Sequence, residues 1–483
     1  MRTYLVAFVL SLVCSLVLTK VLRDLANRLR LFDAGGGRKI HTRPIPRLGG
    51  VAVVLSMVLP LLGLAFWEND ISREMWADKP LLISLLGGGG LMFAVGVFDD
   101  LTDARAILKL GAQIGAALIV YQSGIQIEAV SVPFFHPVQL GVFSMPATVF
   151  WVVLVMNAVN LIDGMDGLAG GVVVLAGGTL FIMSVIEDNV LAALLLAVVV
   201  GGTMGFLAYN VSPASIFLGD TGSLVLGFLL ALTSVHSSQK SYTLFSIIAA
   251  MLALGLPIFD LGMAVIRRAL AGRPLFSGDQ HHIHHILLRK GFTQSQSALL
   301  LFGGAILLEG LALVFIYADD QLSAVAIAAL APSLFIVVRL LGYGDIIRAT
   351  RRQTALQELD GQVRARCARL AAARAALRGA ASLDEGWAAL VAAAPELGLD
   401  QLVELDRAGQ PLRRWAIRED RRDQVALQSL FSRDLPLWVD GALVGALRVA
   451  GHAEAQLLEP VGELVCASLA DGWAGLRASR GQG

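Results

Sequence analysis

Residues 190–209 read VLAALLLAVVVGGTMGFLAY, 20 positions without a charged side chain. A helix needs about 20 apolar residues to cross the hydrocarbon core of a bilayer, so this stretch is long enough to span it. Similar runs recur along the 483-residue chain, of which 56% is hydrophobic and only 16% is charged, with a mean hydropathy of +0.70. Soluble domains carry about a quarter of charged residues. The sequence therefore predicts a polytopic membrane protein.

The apolar runs predict an all-α membrane fold of about eleven transmembrane helices. Three of the runs are short, so this count carries an error of about one. The predicted helices are Tyr4–Leu22, Gly49–Trp67, Leu81–Phe98, Ile107–Tyr121, Ala147–Ile162, Leu168–Ile186, Val190–Tyr209, Ser223–His236, Leu244–Ile266, Ala298–Tyr317 and Leu322–Leu341.

Basic residues concentrate in alternate loops. The first loop, residues 20–47, and the loop at 267–290 are rich in Lys and Arg, whereas loops of the opposite set carry acidic residues such as Glu68 and Glu187. Because Lys and Arg stay on the cytoplasmic side, this predicts an outside N-terminus and a cytoplasmic C-terminus. Residues 125–145 lack Lys and Arg and are predicted to form a short external hairpin.

Four polar stretches fall on the predicted cytoplasmic side: residues 99–103 (DDLTD), 157–167 (NAVNLIDGMDG), 217–223 (FLGDTGS) and 281–285 (HHIHH). Each has a simpler explanation alone, since acidic pairs at helix ends are usually solvated, Asp-Gly marks turns and histidines occur in surface loops. Chance would scatter the four over both faces, and a carboxylate within the membrane costs about 2.5–3.5 kcal/mol. Their gathering on one side predicts a functional site.

Amide and carboxylate groups also align along one predicted helix. Asn157, Asn160 and Asp163 are spaced three residues apart and therefore share a face. Such a face within an apolar helix indicates a ligand, a metal or a water-filled pocket. Carboxylate and amide oxygens suit Mg²⁺, which also binds substrate phosphates, whereas zinc is disfavoured because the histidines have no Cys partners. These side chains indicate phosphoryl transfer, which depends on positioning and charge neutralisation.

The order of the motifs resembles that of the polyprenyl-phosphate N-acetylhexosamine-1-phosphate transferases. The motifs that carry this resemblance are residues 38–41 (RKIH), 46–50 (PRLGG), 99–100 (DD), 157–168, 217–223, 257–260 (PIFD) and 267–285. The resemblance implies ten or eleven membrane helices, an active site in a cytoplasmic cleft, and Mg²⁺ as cofactor with Mn²⁺ as a substitute. It implies that undecaprenyl phosphate reacts with a UDP-N-acetylhexosamine to give a lipid diphosphate sugar and UMP. It implies no nucleic-acid partner.

The resemblance implies a catalytic set of three carboxylates, Asp99, Asp100 and Asp220. By the resemblance, Asp99 orients or deprotonates the lipid phosphate, and Asp100 shares the site of Asp99. A phosphate monoester has its second pKa near 6 and is already largely ionised at neutral pH, so a base is not strictly required. Asp220 is the principal metal ligand implied, with Asn160 as a second.

The resemblance also implies a substrate-binding set. Its members are Arg43, Lys109, Asn157, Asn160, Asp163, Gly164, Asp166, Phe217, His282, His284 and His285. The segment 163–166 resembles a nucleotide-recognition turn, Phe217 the ring that stacks on uracil, and Arg43 a basic residue near that base. Lys109 resembles a phosphate-binding lysine, and the histidines resemble contacts to the pyrophosphate and the sugar. Asp260 matches a family position to which the sequence assigns no role.

The histidine loop favours one donor sugar. Residues 282–285 read HIHH after the stretch RPLF at 273–276, which resembles the N-acetylglucosamine branch that initiates polysaccharides such as O-antigen. The alternative is the peptidoglycan branch, which acts on UDP-N-acetylmuramoyl-pentapeptide and usually has three consecutive histidines. A secondary transporter is a rival of another class, but transporters place their sites near the bilayer midplane and show internal repeats. The sequence shows neither feature.

The composition changes after Leu341, which predicts three regions: a transmembrane transferase domain (1–342), a helical linker or short coiled coil (343–381) and a small cytoplasmic α/β domain (382–483). In the last region, the predicted order is a helix at 387–397, strands at 401–406, 424–439 and 442–450, and a helix at 454–476. That order faintly resembles a GAF-like sensory domain. A regulatory or dimerising role is a hypothesis, and a homodimer would follow from the second.

Overall fold

The structure is a computed structural model. It describes residues 2–29, 45–102, 104–130, 138–240, 246–270, 282–317, 380–397, 399–416, 431–439 and 442–451, together with isolated positions between 339 and 379 and between 471 and 474. The chain divides into two compact units, Met1–Arg348 and Ala349–Gly483. The predicted boundaries at 342 and 381 stay a prediction.

The first unit is mostly helical. Its helices are α1 (Arg2–Leu29), α2 (Gly49–Ala65), α3 (Asp70–Ala77), α4 (Lys79–Ile83), a π-helical turn (Ser84–Gly89), α5 (Gly90–Thr102), α6 (Ala106–Gln122), α7 (Ser144–Ile162), α8 (Leu168–Ile186), α9 (Val190–Asn210), α10 (Gly219–Lys240), α11 (Ser246–Ala253), α12 (Gly255–Leu270), α13 (Ile283–Arg289) and α14 (Gln294–Tyr317). α4, the π-helical turn and α5 follow one another directly and form one span, Lys79–Thr102.

Among the described residues, seven helices are long and apolar enough to cross a membrane, or eight if the bent pair α2–α3 is one span. The predicted count of eleven stays a prediction. α6 is apolar but only 17 residues long, and the predicted helix 244–266 is interrupted at Leu254, between α11 and α12. The eleventh predicted helix, 322–341, lies almost wholly outside the described residues.

α9 and α10 form the centre of the first unit. Helices that are apolar on every side are buried ones, and the large side chains Phe206 on α9 and Phe228 on α10 are fully buried. α9 packs against α1, α2 and α8, whereas α10 packs against α2, α5 and α7. A Cβ at Gly88, in the π-helical turn, would lie 2.6 Å from the ring of Phe228, so a glycine there permits the close approach. α10 therefore contacts two of the spans that carry predicted site residues.

A short hairpin occupies part of the predicted 125–145 segment. β1 (Ala129–Val130) pairs antiparallel with β2 (Val138–Gln139), which confirms the pairing, while residues 131–137 lie outside the described part of the chain.

The second unit contains a helix and four strands: α15 (Leu383–Ala393), β3 (Leu399–Leu405), β4 (Pro411–Ala416), β5 (Phe431–Val439) and β6 (Ala442–Gly451). The sheet is antiparallel in the order β4-β3-β6-β5. The predicted strands at 401–406 and 442–450 are confirmed, and β5 forms the end of the one at 424–439. Strand β4 was not predicted because its pattern is inverted, with Leu412 exposed and Arg413 partly buried beside Glu404. The likeness to a GAF domain stays a prediction, since most of 454–476 lies outside the described residues.

Candidate active site

The predicted site residues of the first unit gather where several spans end. α5 and α7 finish there, and α2, α8 and α10 begin there, so their polar termini share one end of the helical unit. Two glycines at the start of α2 fix this arrangement. The backbone N–H groups of Gly49 and Gly50 donate to the carbonyl oxygens of Phe217 and Leu218 at 3.0 and 2.8 Å. The segment before α10 is thereby tied to the start of α2.

A lysine joins two of the predicted catalytic carboxylates. Lys109 Nζ, on the first turn of α6, lies 3.0 Å from Asp99 Oδ2 at the end of α5 and 2.6 Å from Asp220 Oδ2 at the start of α10. The other oxygen of Asp99 accepts a hydrogen bond from the backbone N–H of Ala104 at 2.8 Å. The three side chains are 9–26% exposed, so their charges interact in a partly dry environment. Two carboxylates therefore converge on one cationic position.

Asp100 has different partners. Its Oδ1 accepts from the backbone N–H of Asp220 at 2.8 Å, and its Oδ2 accepts from the backbone N–H and hydroxyl of Thr221 at 3.0 and 2.6 Å. These bonds satisfy donors in the first turn of α10, which has no intrahelical partners for them. Asp100, predicted to share the site of Asp99, thus holds the start of the helix that carries Asp220.

The polar face of α7 contacts both neighbouring helices. Asn160 Nδ2 donates at 2.8 Å to Ser223 Oγ, which lies one turn after Asp220 on α10. Asn157 Nδ2 donates to Gln113 Oε1 on α6 at 2.7 Å, and Gln113 is itself buried. The predicted alignment on one face of α7 is therefore used to fix α6 and α10 around the site.

The turn between α7 and α8 is also fixed by side-chain hydrogen bonds. Gly167 has a φ of 72°, a left-handed conformation that favours glycine, and its N–H donates to Asn210 Oδ1 at 3.0 Å. The buried Asp166 accepts from the backbone N–H of Ala214 at 3.0 Å. Asp163 lies at the beginning of this turn, where burial and the charges of Asp220 and Asp100 raise its pKa well above the ordinary value.

The histidine loop reaches this turn. A Cβ at Gly164 would lie 2.7 Å from His284 Nε2, so the absence of a side chain at Gly164 lets the two segments approach. His284 is 2% exposed, its ring nitrogens have no hydrogen-bond partner among the described residues, and the rings of His284 and His285 lie 4.2 Å apart. Burial and the neighbouring histidines lower the pKa of His284 to about 3, so this ring is neutral at ordinary pH.

Asp260 positions the histidine loop. Its Oδ1 accepts from the backbone N–H of Ile283 at 3.0 Å, and its Oδ2 lies 3.3 Å from His282 Nδ1. Asp260, to which no role could be assigned from the sequence, therefore positions the histidine loop in the structure. Phe217 is half-buried and its N–H donates to the carbonyl of Pro46 at 2.8 Å, whereas Arg43 lies outside the described residues.

Comparison with known proteins agrees with these motifs. The sequence profile described as "Glycosyl transferase family 4" matches residues 82–238, a segment that contains Asp99, Lys109 and Asp220. A probable undecaprenyl-phosphate N-acetylglucosaminyl 1-phosphate transferase of Bacillus subtilis is 36% identical over 298 residues, which cover 62% of this chain and 80% of the relative. The chain belongs to glycosyl transferase family 4. This confirms the family predicted from the motifs and makes the protein a transferase.

Two further relatives are less similar to this chain. A decaprenyl-phosphate N-acetylglucosaminephosphotransferase of Mycobacterium leprae is 31% identical over 300 residues, which cover 58% of this chain and 75% of the relative. A phospho-N-acetylmuramoyl-pentapeptide-transferase of Listeria monocytogenes is 31% identical over 252 residues, which cover 49% of this chain and 75% of the relative. By their names, the relatives are all phospho-sugar transferases, but they differ in the sugar: N-acetylglucosamine in two and N-acetylmuramoyl-pentapeptide in the third.

The donor set of this family member fits a hard cation with few protein ligands. No group of three or more His, Cys, Asp or Glu side chains surrounds one point in the part of the chain that the structure describes. Asp99 and Asp220 nevertheless direct one oxygen each at a single positive centre, the ammonium of Lys109. Mg²⁺ is commonly bound through one or two carboxylates, with waters and substrate phosphates as its remaining ligands. The two carboxylates fit that pattern, whereas the role of Asn160 as a second metal ligand stays a prediction.

Several residues of the site were not singled out from the sequence. Gln113 lies four residues after Lys109 on α6, so the two side chains share one face of the helix. This spacing could have identified Gln113 from the sequence. Thr221 and Ser223 belong to a quoted motif but had no assigned role. Asn210, at the end of α9, was missed because its partner Gly167 lies 43 residues earlier and is brought to it only by the tertiary fold.

Proposed function

We propose that this member of glycosyl transferase family 4 transfers N-acetylglucosamine-1-phosphate, or a related N-acetylhexosamine-1-phosphate, from a UDP-sugar to undecaprenyl phosphate. In this proposal the reaction is the initiating step of a cell-envelope polysaccharide such as O-antigen. The protein lies in the bacterial inner membrane, with its N-terminus outside and its C-terminus and active site cytoplasmic. The observation that carries the proposal is the convergence of Asp99 and Asp220 on Lys109 at the common end of several spans.

The proposed reaction joins two phosphate anions. An oxygen of the lipid phosphate forms a bond to the phosphorus that carries the sugar, and the bond from this phosphorus to the bridging oxygen breaks, so UMP leaves with that oxygen. No proton transfer is required when the lipid phosphate is a dianion. The role of Asp99 is then to orient the lipid phosphate. When bound, Mg²⁺ supplies charge neutralisation for the phosphate oxygens. The ammonium of Lys109 is placed to add a second positive charge.

The surroundings of the histidine loop support a neutral sugar as the transferred group. His284 is buried and neutral, and both of its ring nitrogens have hydrogen-bonding capacity that the described residues leave unused. Such nitrogens suit hydroxyl and acetamido groups better than a further anionic group. The Asp163–Gly167 turn, which contacts this ring through Gly164, would then hold the nucleotide side of the donor.

The second candidate is the peptidoglycan reaction with UDP-N-acetylmuramoyl-pentapeptide. It is supported by the 31% identity to the Listeria relative. The two candidates differ in the group attached to the sugar, so donor choice distinguishes them directly.

The test is a donor comparison with purified protein in detergent, Mg²⁺ and undecaprenyl phosphate, in which the lipid product is identified by mass. We expect a lipid diphosphate N-acetylglucosamine, and no product from the muramoyl-pentapeptide donor. A product from the pentapeptide donor alone would replace the proposed function by the second candidate. A product from another UDP-N-acetylhexosamine alone would keep the reaction and change the sugar. A His284→Ala variant serves as the control. Removal of the His284 ring should lower turnover with whichever donor the native protein uses.

A further inference from the structure

We propose that a groove between α1 and α2, at the end of the helices opposite the candidate active site, binds one acyl chain of a membrane phospholipid. The groove has a volume of about 420 Å³ and an almost wholly apolar lining. Val6, Leu10 and Cys14 line it from α1, and Leu59, Gly63 and Trp67 line it from α2 and the residues that follow.

The groove lies on the surface that faces lipid. Val6, Leu10 and Leu59 are 56%, 49% and 49% exposed, although α1 and α2 are packed against each other. Pro60 and Gly63 leave space along α2, since a Cβ at Gly63 would meet no atom within 4 Å. Hydrocarbon is the only medium that such exposed apolar side chains meet inside a bilayer.

The length of the groove matches one acyl chain. Its lining on α1 runs from Thr3 to Cys14, and 11 residues of helix rise by about 16 Å. The hydrocarbon core is about 30 Å thick, so one leaflet is about 15 Å deep. An extended acyl chain of a single leaflet therefore fills the groove from end to end.

The outer end of the groove carries the features of a membrane interface. Phe66 and Trp67 are 79% and 74% exposed, and the chain then bends by 107° into α3. Trp76 on α3 is 55% exposed and donates through Nε1 to the carbonyl of Ala65 at 3.0 Å, which fixes the bend. Exposed aromatic side chains of this kind concentrate at the level of lipid headgroups. The headgroup of the bound phospholipid would lie at the level of α3.

The lipid acceptor of the proposed reaction is not the expected occupant. α2 begins at Gly49 beside the candidate site, and Gly63 lies 14 residues further, which is about 21 Å along the helix axis. A lipid with its phosphate at the site belongs to the opposite leaflet from the groove. The proposal therefore does not depend on the proposed function.

The test uses the full chain reconstituted in vesicles of phosphatidylethanolamine and phosphatidylglycerol, in which a minor share of the phosphatidylethanolamine carries a diazirine midway along one acyl chain. After illumination, adducts are mapped by mass spectrometry. We expect a concentration of adducts on the groove faces of α1 and α2. Gly63→Leu should abolish this concentration of adducts, because the added side chain occupies the space along α2 that the acyl chain would fill. Gly90→Leu is the matched control, since a Cβ at Gly90 also meets no atom within 4 Å.

Adducts spread evenly over the exposed apolar side chains, or unchanged by Gly63→Leu, would overturn the proposal. Crosslinks between two copies of the chain at this groove would replace the lipid by a second copy. Loss of the adducts on addition of undecaprenyl phosphate would assign the groove to the isoprenoid chain instead. If Gly63→Leu does not fold, Cys14→Phe fills the same groove from α1 and provides the same test.

Discussion

Asp99 and Asp100 stand side by side on the last turn of α5, and their carboxylates bind different partners. Asp99 pairs with Lys109, whereas Asp100 accepts three hydrogen bonds from the first turn of α10. Neighbouring residues on a helix point about 100° apart, so adjacent carboxylates can serve different elements. Asp99 therefore forms the ion pair with Lys109, whereas Asp100 holds the backbone that carries Asp220.

This difference predicts two distinct variants. Asp100→Asn replaces one acceptor oxygen by an amide donor and leaves one backbone N–H group of the first turn of α10 unsatisfied, which should lower the free energy of unfolding by about 1–3 kcal/mol. Asp99→Asn keeps an oxygen that can accept from the backbone N–H of Ala104, and Lys109 keeps its pairing with Asp220, so this variant should lose less stability than Asp100→Asn. It should nevertheless abolish most UMP release. Thermal unfolding in detergent and UMP release, measured on the same preparations, check both expectations. Equal melting temperatures for the two variants would contradict the assignment.

His284 gives a pH-dependent prediction. Its pKa of about 3 in the folded protein lies below the ordinary value of about 6.5, so the unfolded chain takes up the proton first as the pH falls. The folded state should lose stability from pH 6.5 downward, by up to about 2 kcal/mol at pH 5, while above pH 6.5 His284 contributes no pH dependence.

The measurement compares melting temperatures at pH 7 and pH 5 for the native protein and for His284→Gln. The variant should lose less stability on acidification than the native protein. His285→Gln is the control from the adjacent, less buried ring. Equal acid sensitivity of the native protein and His284→Gln would contradict a buried neutral ring.

Sequence reasoning finds site residues that sit in dense local motifs and misses those whose partners are distant in the chain. Asp99 and Asp220 belong to motifs rich in polar residues within apolar surroundings, so their signal is local. Asn210 accepts a hydrogen bond from the N–H of Gly167, 43 positions earlier, and this pairing exists only after α8 and α9 have packed. The different partners of Asp99 and Asp100 could not be predicted from the sequence either, because they depend on where α10 packs.

At the scale of elements, a buried polar pair joins two spans at the end opposite the site. His236 Nε2 on α10 lies 3.0 Å from Asp78 Oδ2, and Asp78 is the N-cap of α4. The same two spans carry Asp220 and Asp99 at their other ends. Asn189, the N-cap of α9, lies within 3.4 Å of His236 Nδ1. This cluster fixes the ends of three spans relative to one another.

A double-mutant cycle should measure the coupling between His236 and Asp78. Each of His236→Gln and Asp78→Asn leaves a buried partner poorly satisfied and should cost about 1–3 kcal/mol, and the double variant should cost less than the sum. The exposed pair of Arg73 and Asp70 on α3, with side chains 78% and 97% exposed, provides the control, and Asp70→Asn should change the melting temperature little. Strictly additive effects at His236 and Asp78 would contradict the coupling.

Long uncharged runs predict their helices well because the bilayer leaves no alternative for their backbone groups. The predicted helix 190–209 corresponds to α9, Val190–Asn210. The interruption at Leu254 between α11 and α12, and the π-helical turn within the third span, were not predicted, since hydropathy does not report local hydrogen-bond register.

At the scale of the whole molecule, every described site residue lies in the first unit. A chain truncated after Arg348 should therefore retain UMP release comparable to that of the full chain. The same truncation carrying Asp220→Asn is the inactive control. A folded but inactive truncated protein would make the second unit part of the catalytic apparatus, whereas a changed oligomeric state or altered control would support the regulatory or dimerising hypothesis.

The central claim is that the cluster of Asp99, Lys109 and Asp220 carries a metal-dependent phospho-sugar transfer. The most direct test is UMP release by purified protein with undecaprenyl phosphate and UDP-N-acetylglucosamine, with and without Mg²⁺, for the native chain and Asp220→Asn. We predict that UMP forms only with both substrates and the metal, and that Asp220→Asn lowers the rate by at least about 10²-fold. UMP release that is unchanged by Asp220→Asn, or that persists after chelation of the metal, would contradict the account.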